Sequence, residues 1–243
     1  MQPLARYEKQ TLFRPIGMAG QKKLANSRVC IVGSGALGSN IANLLARAGF
    51  GSLLLIDNDR VELSNLQRQM LFDETDIGKS KAQCAAAKLS LINSEISIEA
   101  FNERLSHDNF ADLVKGCDLL LDATDNFATR FMINDQALKL NLPWIYSGVT
   151  ASSGQSMFIQ PFNTACLRCL IPDDEMVDNF PGVHNSGIIG SIVTIIASIS
   201  VSMAMRFLVE KHIERDVLCF DAWELSCHRI PMERTPGCPG CRA

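Results

Sequence analysis

The sequence predicts a doubly wound α/β fold, parallel in its N-terminal half and continued antiparallel in its C-terminal half. Three observations carry this. Short apolar runs (Val29–Val32, Leu53–Ile56, Leu119–Leu121 and Trp144–Val149) alternate with longer helical stretches, the order of successive βα units. The first run leads at once into Gly33-Ser34-Gly35-Ala36-Leu37-Gly38, a G-x-G-x-x-G loop between a strand and a helix. After Val149 the alternation stops, and Gly154–Gln160 follows as an antiparallel return.

In chain order, Arg6–Gln10 and the segment through Leu24 read as one or two short helices broken at Pro15 and Gly17. Arg28–Val32 is a buried strand. In the Rossmann-like loop after it, Gly33 permits the tight turn, Gly35 lets phosphate approach the backbone, and Gly38 lets the next helix pack closely on the strand. Ile41, Leu44, Leu45 and Ala48 space that helix, which Gly49 and Gly51 end, so its first N–H groups point at an anion. Leu53–Ile56 then delivers Asp57 and Asp59, and an acid about twenty residues past the loop is the ribose ligand of a dinucleotide fold.

Up to Asp57 the pattern equally fits an NAD-dependent oxidoreductase. The continuation, Asn58 to Gln69 and then Gly78-Lys79-Ser80-Lys81, places Asn65, Arg68, Gln69 and two lysines in quick succession. Hydride transfer has little use for such a group. Phosphoryl chemistry does, because an arginine fork and a lysine point charge neutralise phosphates as pyrophosphate leaves. A solvated charged loop is the bland alternative.

Ala82–Leu91 is alanine-rich and helical, Ile96–Phe101 suggests a third strand, and a helix over Asp108–Lys115 leads into the strand Cys117–Leu121. That strand ends in Asp122-Ala123-Thr124-Asp125-Asn126. Open α/β sheets bind ligands at the carboxyl ends of their strands, so Asp122 and Asp125 are expected to face the loop at Gly33. Alternatively Asp125 or Asn126 is an ordinary N-cap for the helix through Leu140.

The nine cysteines include two C-x-x-C pairs, Cys166/Cys169 and Cys238/Cys241, whose four thiolates suit tetrahedral zinc that staples the C-terminus to the rest of the chain. A redox C-x-x-C is the competing reading. Cys30, Cys84, Cys117, Cys219 and Cys227 mostly sit in apolar runs, where buried small hydrophobes are expected. Pro172–Ser186 is an acidic loop without cysteine, in which His184 has no identified partner. Ile188–Met205 carries no charge, which meets the length criterion for a membrane span. Its diluting serines and the lack of polybasic flanks favour a helix apolar all round, buried in the core or at a subunit interface. Val217–Asp221 and Trp223–Ile230 read as two closing strands around a tight turn.

At 47% hydrophobic and 20% charged residues the chain has the means to bury a substantial core. The net charge of −3, without a basic run, gives no electrostatic reason to expect nucleic acid. Met1–Gln10 lacks an apolar signal region, so a cytoplasmic protein is expected, with no membrane association.

The string D-x-D-x-V-x-x-S-N-L-x-R-Q, from Asp57 to Gln69, resembles the signature of the ThiF/MoeB/HesA family, bacterial relatives of ubiquitin-activating enzymes, and the resemblance runs along nearly the whole chain. It implies one adenylyltransferase domain over residues 1–243, with a nucleotide-binding half at about 25–150 and a carrier-binding and zinc half at about 151–243. It implies ATP-dependent adenylylation of the C-terminal glycine of a ubiquitin-like sulfur carrier, for thiamine or molybdopterin biosynthesis. Asp57 and Asp59 would lie near ribose and metal. Asn65, Arg68 and Lys81 would contact the ATP phosphates, with Gln69 and Asn126 beside them, and Asp125 would bind Mg²⁺. Arg68, Lys81 and Asp125 are the catalytic candidates. Structural zinc, a homodimer and an external sulfur donor are also implied. The family's R-Y-x-R-Q opening, whose second arginine reaches a partner subunit's ATP site, has Lys9 at that place here. A lysine keeps the charge and loses the planar fork. Related crossover loops hold a cysteine that forms a covalent conjugate; Pro172–Ser186 holds none. An inactive family scaffold is the remaining alternative.

Overall fold

The computed structural model describes residues 5–172 and 186–241. Its strands are β1 Arg28–Val32, β2 Ser52–Ile56, β3 Ser97–Phe101, β4 Leu119–Asp122, β5 Trp144–Thr150, β6 Ser153–Ile159, β7 Asp216–Asp221 and β8 Ser226–Pro231. They form one sheet in the order β3-β2-β1-β4-β5-β6-β7-β8. Pairing is parallel from β3 to β5 and antiparallel from β5 to β8, as the sequence predicts. Chain order reverses between β1 and β4, and that switch point is where such sheets leave a crevice at their carboxyl ends.

The helices are α1 Glu8–Thr11, α2 Gly17–Ala25, α3 Ala36–Ala48, α4 Lys81–Ile92, α5 Phe110–Leu113, α6 Phe127–Lys139, α7 Leu167–Leu170 and α8 Gly190–Glu210. The period of two along each strand assigns the two faces. Val29, Ile31, Leu53 and Leu55 join the core shared with α3 and α8, while Cys30, Val32, Leu54 and Ile56 join the core shared with α5, α6 and α7. Both faces are covered, which is why these strands read as continuous apolar runs.

Several elements depart from expectation. The helix expected over Asp108–Lys115 is only Phe110–Leu113: Asn109 Oδ1 accepts from Ser106 N at 2.8 Å ahead of it, and Gly116 at φ +75 ends the segment behind it. α8 is long and apolar enough to cross a membrane by length and composition. It is not apolar all round, because Ser191, Thr194, Ser198, Ser202 and Arg206 form an exposed stripe at helical spacing. Its Ile192, Val193, Ile196, Ala197 and Val201 are buried in the core. Ser198 and Ser202 return their hydroxyls to the carbonyls four residues back, each at 2.8 Å, so they cost the helix little. Of the scattered cysteines only Cys30 is fully buried. Cys84, Cys117 and Cys219 are half-buried, and Cys227 is exposed because β8 is the edge of the sheet. The second closing strand starts at Ser226, with Trp223 in the turn before it.

Candidate active site

A cleft of about 1530 Å³ opens over the carboxyl ends of the parallel strands and runs on to β7 and β8. Most small-molecule sites hold roughly 300–1,000 Å³, so there is room for more than one small ligand. Gly33, at φ +90, forms the turn out of β1, and a Cβ there would stand 2.7 Å from the Ala123 carbonyl. At Gly38 a Cβ would stand 1.8 Å from Gly33 O, so α3 packs on the loop only through glycine. Gly35 differs. A Cβ there would meet only Gln69 Nε2, at 3.6 Å, so nothing in the protein's own packing excludes a side chain. Its place in the cleft wall keeps the backbone open to a phosphate at the N-terminus of α3.

Asp57, at the end of β2, ties this loop down. Its Oδ2 accepts from Ser34 N at 2.5 Å and its Oδ1 from Asp59 N at 2.7 Å. Burial pushes its pKa up, against those two N–H bonds and the Lys81 charge. Lys81 opens α4 with its side chain buried, and its Nζ stands 2.9 Å from Asp59 Oδ2. Ser80 caps that helix, which fixes Lys81 in its first turn. Asn65 is also buried and accepts from Glu62 N at 3.2 Å, closing the short turn that carries Arg68. Arg68 Nη1 donates to Ser64 O at 3.0 Å. Gln69 is buried, and its Oε1 and the Ser34 hydroxyl have no partner among the described residues. Buried polar atoms left unpaired beside a cleft are what a polar ligand would satisfy.

The turn after β4 divides the roles expected of its acids. Asp122 is fully buried and does not line the cleft. Its Oδ1 accepts from Thr124 N and Oγ1 at 2.9 and 2.6 Å, and its Oδ2 stands 3.4 Å from Arg130 Nε. Burial raises its pKa and Arg130 opposes this. Asp122 therefore shapes the turn and stays out of the cleft it was expected to face, with Thr124 bonded to Oδ1 and the Arg130 charge paired with Oδ2. Asp125 is exposed in the cleft, and among the described residues its carboxylate has only a long contact, 3.5 Å, from Asn126 Nδ2. A carboxylate open to the cleft suits a hard, oxygen-seeking cation. Asn126 is the N-cap of α6, accepting from Thr129 N at 2.9 Å, while also lining the cleft.

Arg130 and Tyr146 also line the cleft, and the sequence reading passed over both. Arg130 donates to Thr124 O at 2.6 Å, and its guanidinium stands 4.8 Å from the Phe127 ring and 5.3 Å from the Tyr146 ring. The signal was an arginine one turn into a helix that begins at the sheet's carboxyl edge, unusual for a position otherwise facing the core. Lys9 does not line its own chain's cleft; its side chain is 85% exposed and pairs only loosely with Glu8, at 3.7 Å. His184 and the cysteine-free loop fall on residues 173–185, outside the described residues.

The four sulfurs of Cys166, Cys169, Cys238 and Cys241 lie within 4.8 Å of one another. Cys166 to Cys238 is 3.8 Å and Cys169 to Cys241 is 3.5 Å. A tetrahedral ion bound at about 2.3 Å sets sulfurs about 3.8 Å apart, so the cluster fits a metal such as zinc. Gly240 is required beside it, because a Cβ there would stand 2.9 Å from Cys166 Sγ. Thr235 N donates to Cys169 Sγ at 3.4 Å, an outer bond that favours a thiolate. Arg168 grips Asp135 of α6 through Nε and Nη2 at 3.0 and 2.9 Å, fixing the first cysteine pair to that helix.

Residues 7–240 match the ThiF family. The chain is 38% identical over 240 residues to the sulfur carrier protein ThiS adenylyltransferase of Bacillus subtilis, covering 97% of this chain and 71% of that protein. It is 36% identical over 240 residues to the sulfur carrier protein ThiS adenylyltransferase of Escherichia coli, covering 97% and 94%. With the SAMP-activating enzyme E1 of Haloferax volcanii the identity is 33% over 240 residues, covering 98% and 88%. Among solved structures, E. coli MccB with succinimide superposes at a TM-score of 0.86 with 25% identity, over 98% of this chain and 74% of that one. E. coli MccB with ATP gives 0.86 at 24% identity over the same shares, a likeness of fold. Glycine loop, acid-amide-arginine string, cleft and extent of match agree: the chain belongs to the ThiF family.

Proposed function

We propose that this chain uses ATP to adenylylate the C-terminal glycine carboxylate of a small ubiquitin-like sulfur carrier of the ThiS or MoaD type, releasing pyrophosphate. Relatives named for that reaction support the substrate class. The observation that carries the reading is the gathering of Asn65, Arg68, Gln69, Lys81 and Asp125 around one glycine loop, in a cleft that continues beyond the nucleotide's space.

A carboxylate is a poor electrophile, and the purpose of the step is to give it a leaving group. The carrier's terminal carboxylate oxygen attacks the α-phosphorus, and the bond from that phosphorus to the β-phosphate oxygen breaks. The products are a mixed acyl-phosphate anhydride and pyrophosphate. The attacking oxygen is already ionised, so no general base is needed. Arg68 and Lys81 stabilise the charge that grows on the phosphates, and the N–H groups around Gly35 hold the phosphate chain. Mg²⁺ would be held by Asp125 and would supply further neutralisation of the phosphates. Asp57 orients the loop through Ser34. Zinc in the four-cysteine cluster would hold the C-terminal segment to α6 and α7, remote from the chemistry.

Three further parts belong to the proposal. Lys9, exposed and outside its own cleft, is available to the cleft of a second subunit in a homodimer. With no cysteine between Pro172 and Ser186, the enzyme stops at the acyl-adenylate and passes it to an external sulfur donor, such as a cysteine desulfurase or rhodanese-type protein. The pathway is thiamine or molybdopterin biosynthesis, in the cytoplasm. ATP–pyrophosphate exchange tests the whole: it is expected only when carrier and Mg²⁺ are both present. Exchange without carrier, or none with either carrier type, contradicts the reading.

A further inference from the structure

The β7–β8 hairpin presents apolar side chains to solvent at the far end of the cleft. Trp223 is 75% exposed and Leu225 80% exposed, while Asp221, Ser226 and His228 on the same hairpin line the cleft. Neither Trp223 nor Leu225 lines it. Leu225 also sits at φ +54, the left-handed conformation that hairpin turns ordinarily give to glycine or asparagine. A leucine held there without packing gains nothing for the fold.

The tip is nonetheless firmly built. Asp221 Oδ1 accepts from Trp223 N at 2.9 Å and Glu224 N at 3.0 Å, and its Oδ2 from Ser153 Oγ at 2.5 Å and Ser152 Oγ at 3.1 Å. Ala222 N donates to Ser152 O at 2.8 Å, joining the tip to the β5–β6 turn. The Ser153 hydroxyl and the Glu224 and Trp223 N–H groups hold the Asp221 carboxyl down to about 2, so the clamp stays ionised at neutral pH. A rigid turn bearing an exposed tryptophan and leucine has the character of a preorganised anchor, which loses little freedom when a partner covers it.

We propose that Trp223 and Leu225 dock an apolar patch on the folded body of the protein substrate whose C-terminal tail enters the cleft. This rests on the adenylyltransferase reading above. Continuity with the cleft commits the surface to that occupant. From the β1/β4 switch point to the β7–β8 hairpin is four strand spacings, about 19 Å at roughly 4.8 Å each. An extended tail covers that in about six residues at about 3.3 Å per residue. A substrate with its carboxylate at the glycine loop and a tail of that length therefore brings its folded body against the hairpin tip.

The test compares two substrates, the whole carrier and a synthetic peptide of its C-terminal tail, with wild-type enzyme, Trp223→Ser and Leu225→Gly. The glycine variant retains the left-handed backbone and removes only the side chain. Expected is a rise of about tenfold or more in KM for the whole carrier in each variant, with kcat, KM for ATP and peptide kinetics unchanged. Unchanged KM for the carrier in both variants overturns the proposal, as does an equal rise for carrier and peptide. A shift in oligomeric state by sedimentation also overturns it, assigning the tip to a second copy of this chain. Wild-type activity on the carrier is the control: its absence defeats the adenylyltransferase reading, whereas its presence with unaffected variants defeats only the docking surface.

Discussion

In the proposed mechanism Arg68 and Lys81, among the cationic residues that line the cleft, bring positive charge to the phosphates as charge grows on them. Arg68→Ala and Lys81→Ala are each expected to cut carrier adenylylation by on the order of a hundredfold, as loss of one preorganised donor does elsewhere. Rate assays at saturating ATP and carrier check this, and near wild-type rates in both would remove them from the mechanism. The glycines give a sharper contrast. Gly38→Ala drives a Cβ to within 1.8 Å of Gly33 O and is expected to cost at least about 1–3 kcal/mol in urea unfolding. Gly35→Ala meets only Gln69 Nε2, so it should leave the unfolding midpoint near wild type while weakening ATP binding by calorimetry. Equal stability loss in both would mean that Gly35 also serves the fold. Sequence spacing separated Gly33, Gly35 and Gly38 by role, because their duties follow from backbone geometry that the loop pattern prescribes. It misjudged Asp122, since nothing in a strand-ending acid reveals that an arginine eight positions on will bury beside it.

Among the elements, the two C-x-x-C knuckles make the most direct prediction. Purified protein prepared without chelator should carry about one zinc per chain, and removing it should lower Tm, because metal binding here is folding free energy. Cys166→Ser and Cys241→Ser should lose both the zinc and the stability. Folded protein without metal, or a Tm indifferent to chelation, would mean that the four sulfurs, 3.5 and 3.8 Å apart in their closest pairs, are simply packed thiols. Strands and helices with a clear period were legible from sequence to within a residue or two, as for β5, β6 and α4. The amphipathic character of α8 was hidden because its exposed stripe is mostly serine and threonine, which dilute hydrophobicity without marking a polar face. The exposed Trp223 was hidden too, since a tryptophan beside an alternating run reads as strand and only the Asp221 clamp shows the turn.

At the scale of the whole molecule, the parallel half places a glycine loop at a topological switch point, and the antiparallel half extends the same sheet, so that one cleft spans both. That continuity was only partly legible. The direction of the strands follows from βα alternation and its cessation, whereas the junction of glycine loop and antiparallel strands into one cleft depends on packing between residues over a hundred positions apart. In the proposed mechanism this cleft joins AMP to a carrier's terminal carboxylate and forms no covalent bond of its own to the carrier. Intact-mass spectrometry of the enzyme and its carrier after incubation with ATP and Mg²⁺, under non-reducing conditions, tests it most directly. Carrier heavier by one adenylyl group, alongside unmodified enzyme, is the expected result. Unmodified carrier, or a thiol-sensitive conjugate of enzyme and carrier mapped to Cys84, Cys117 or any other cysteine, would contradict it.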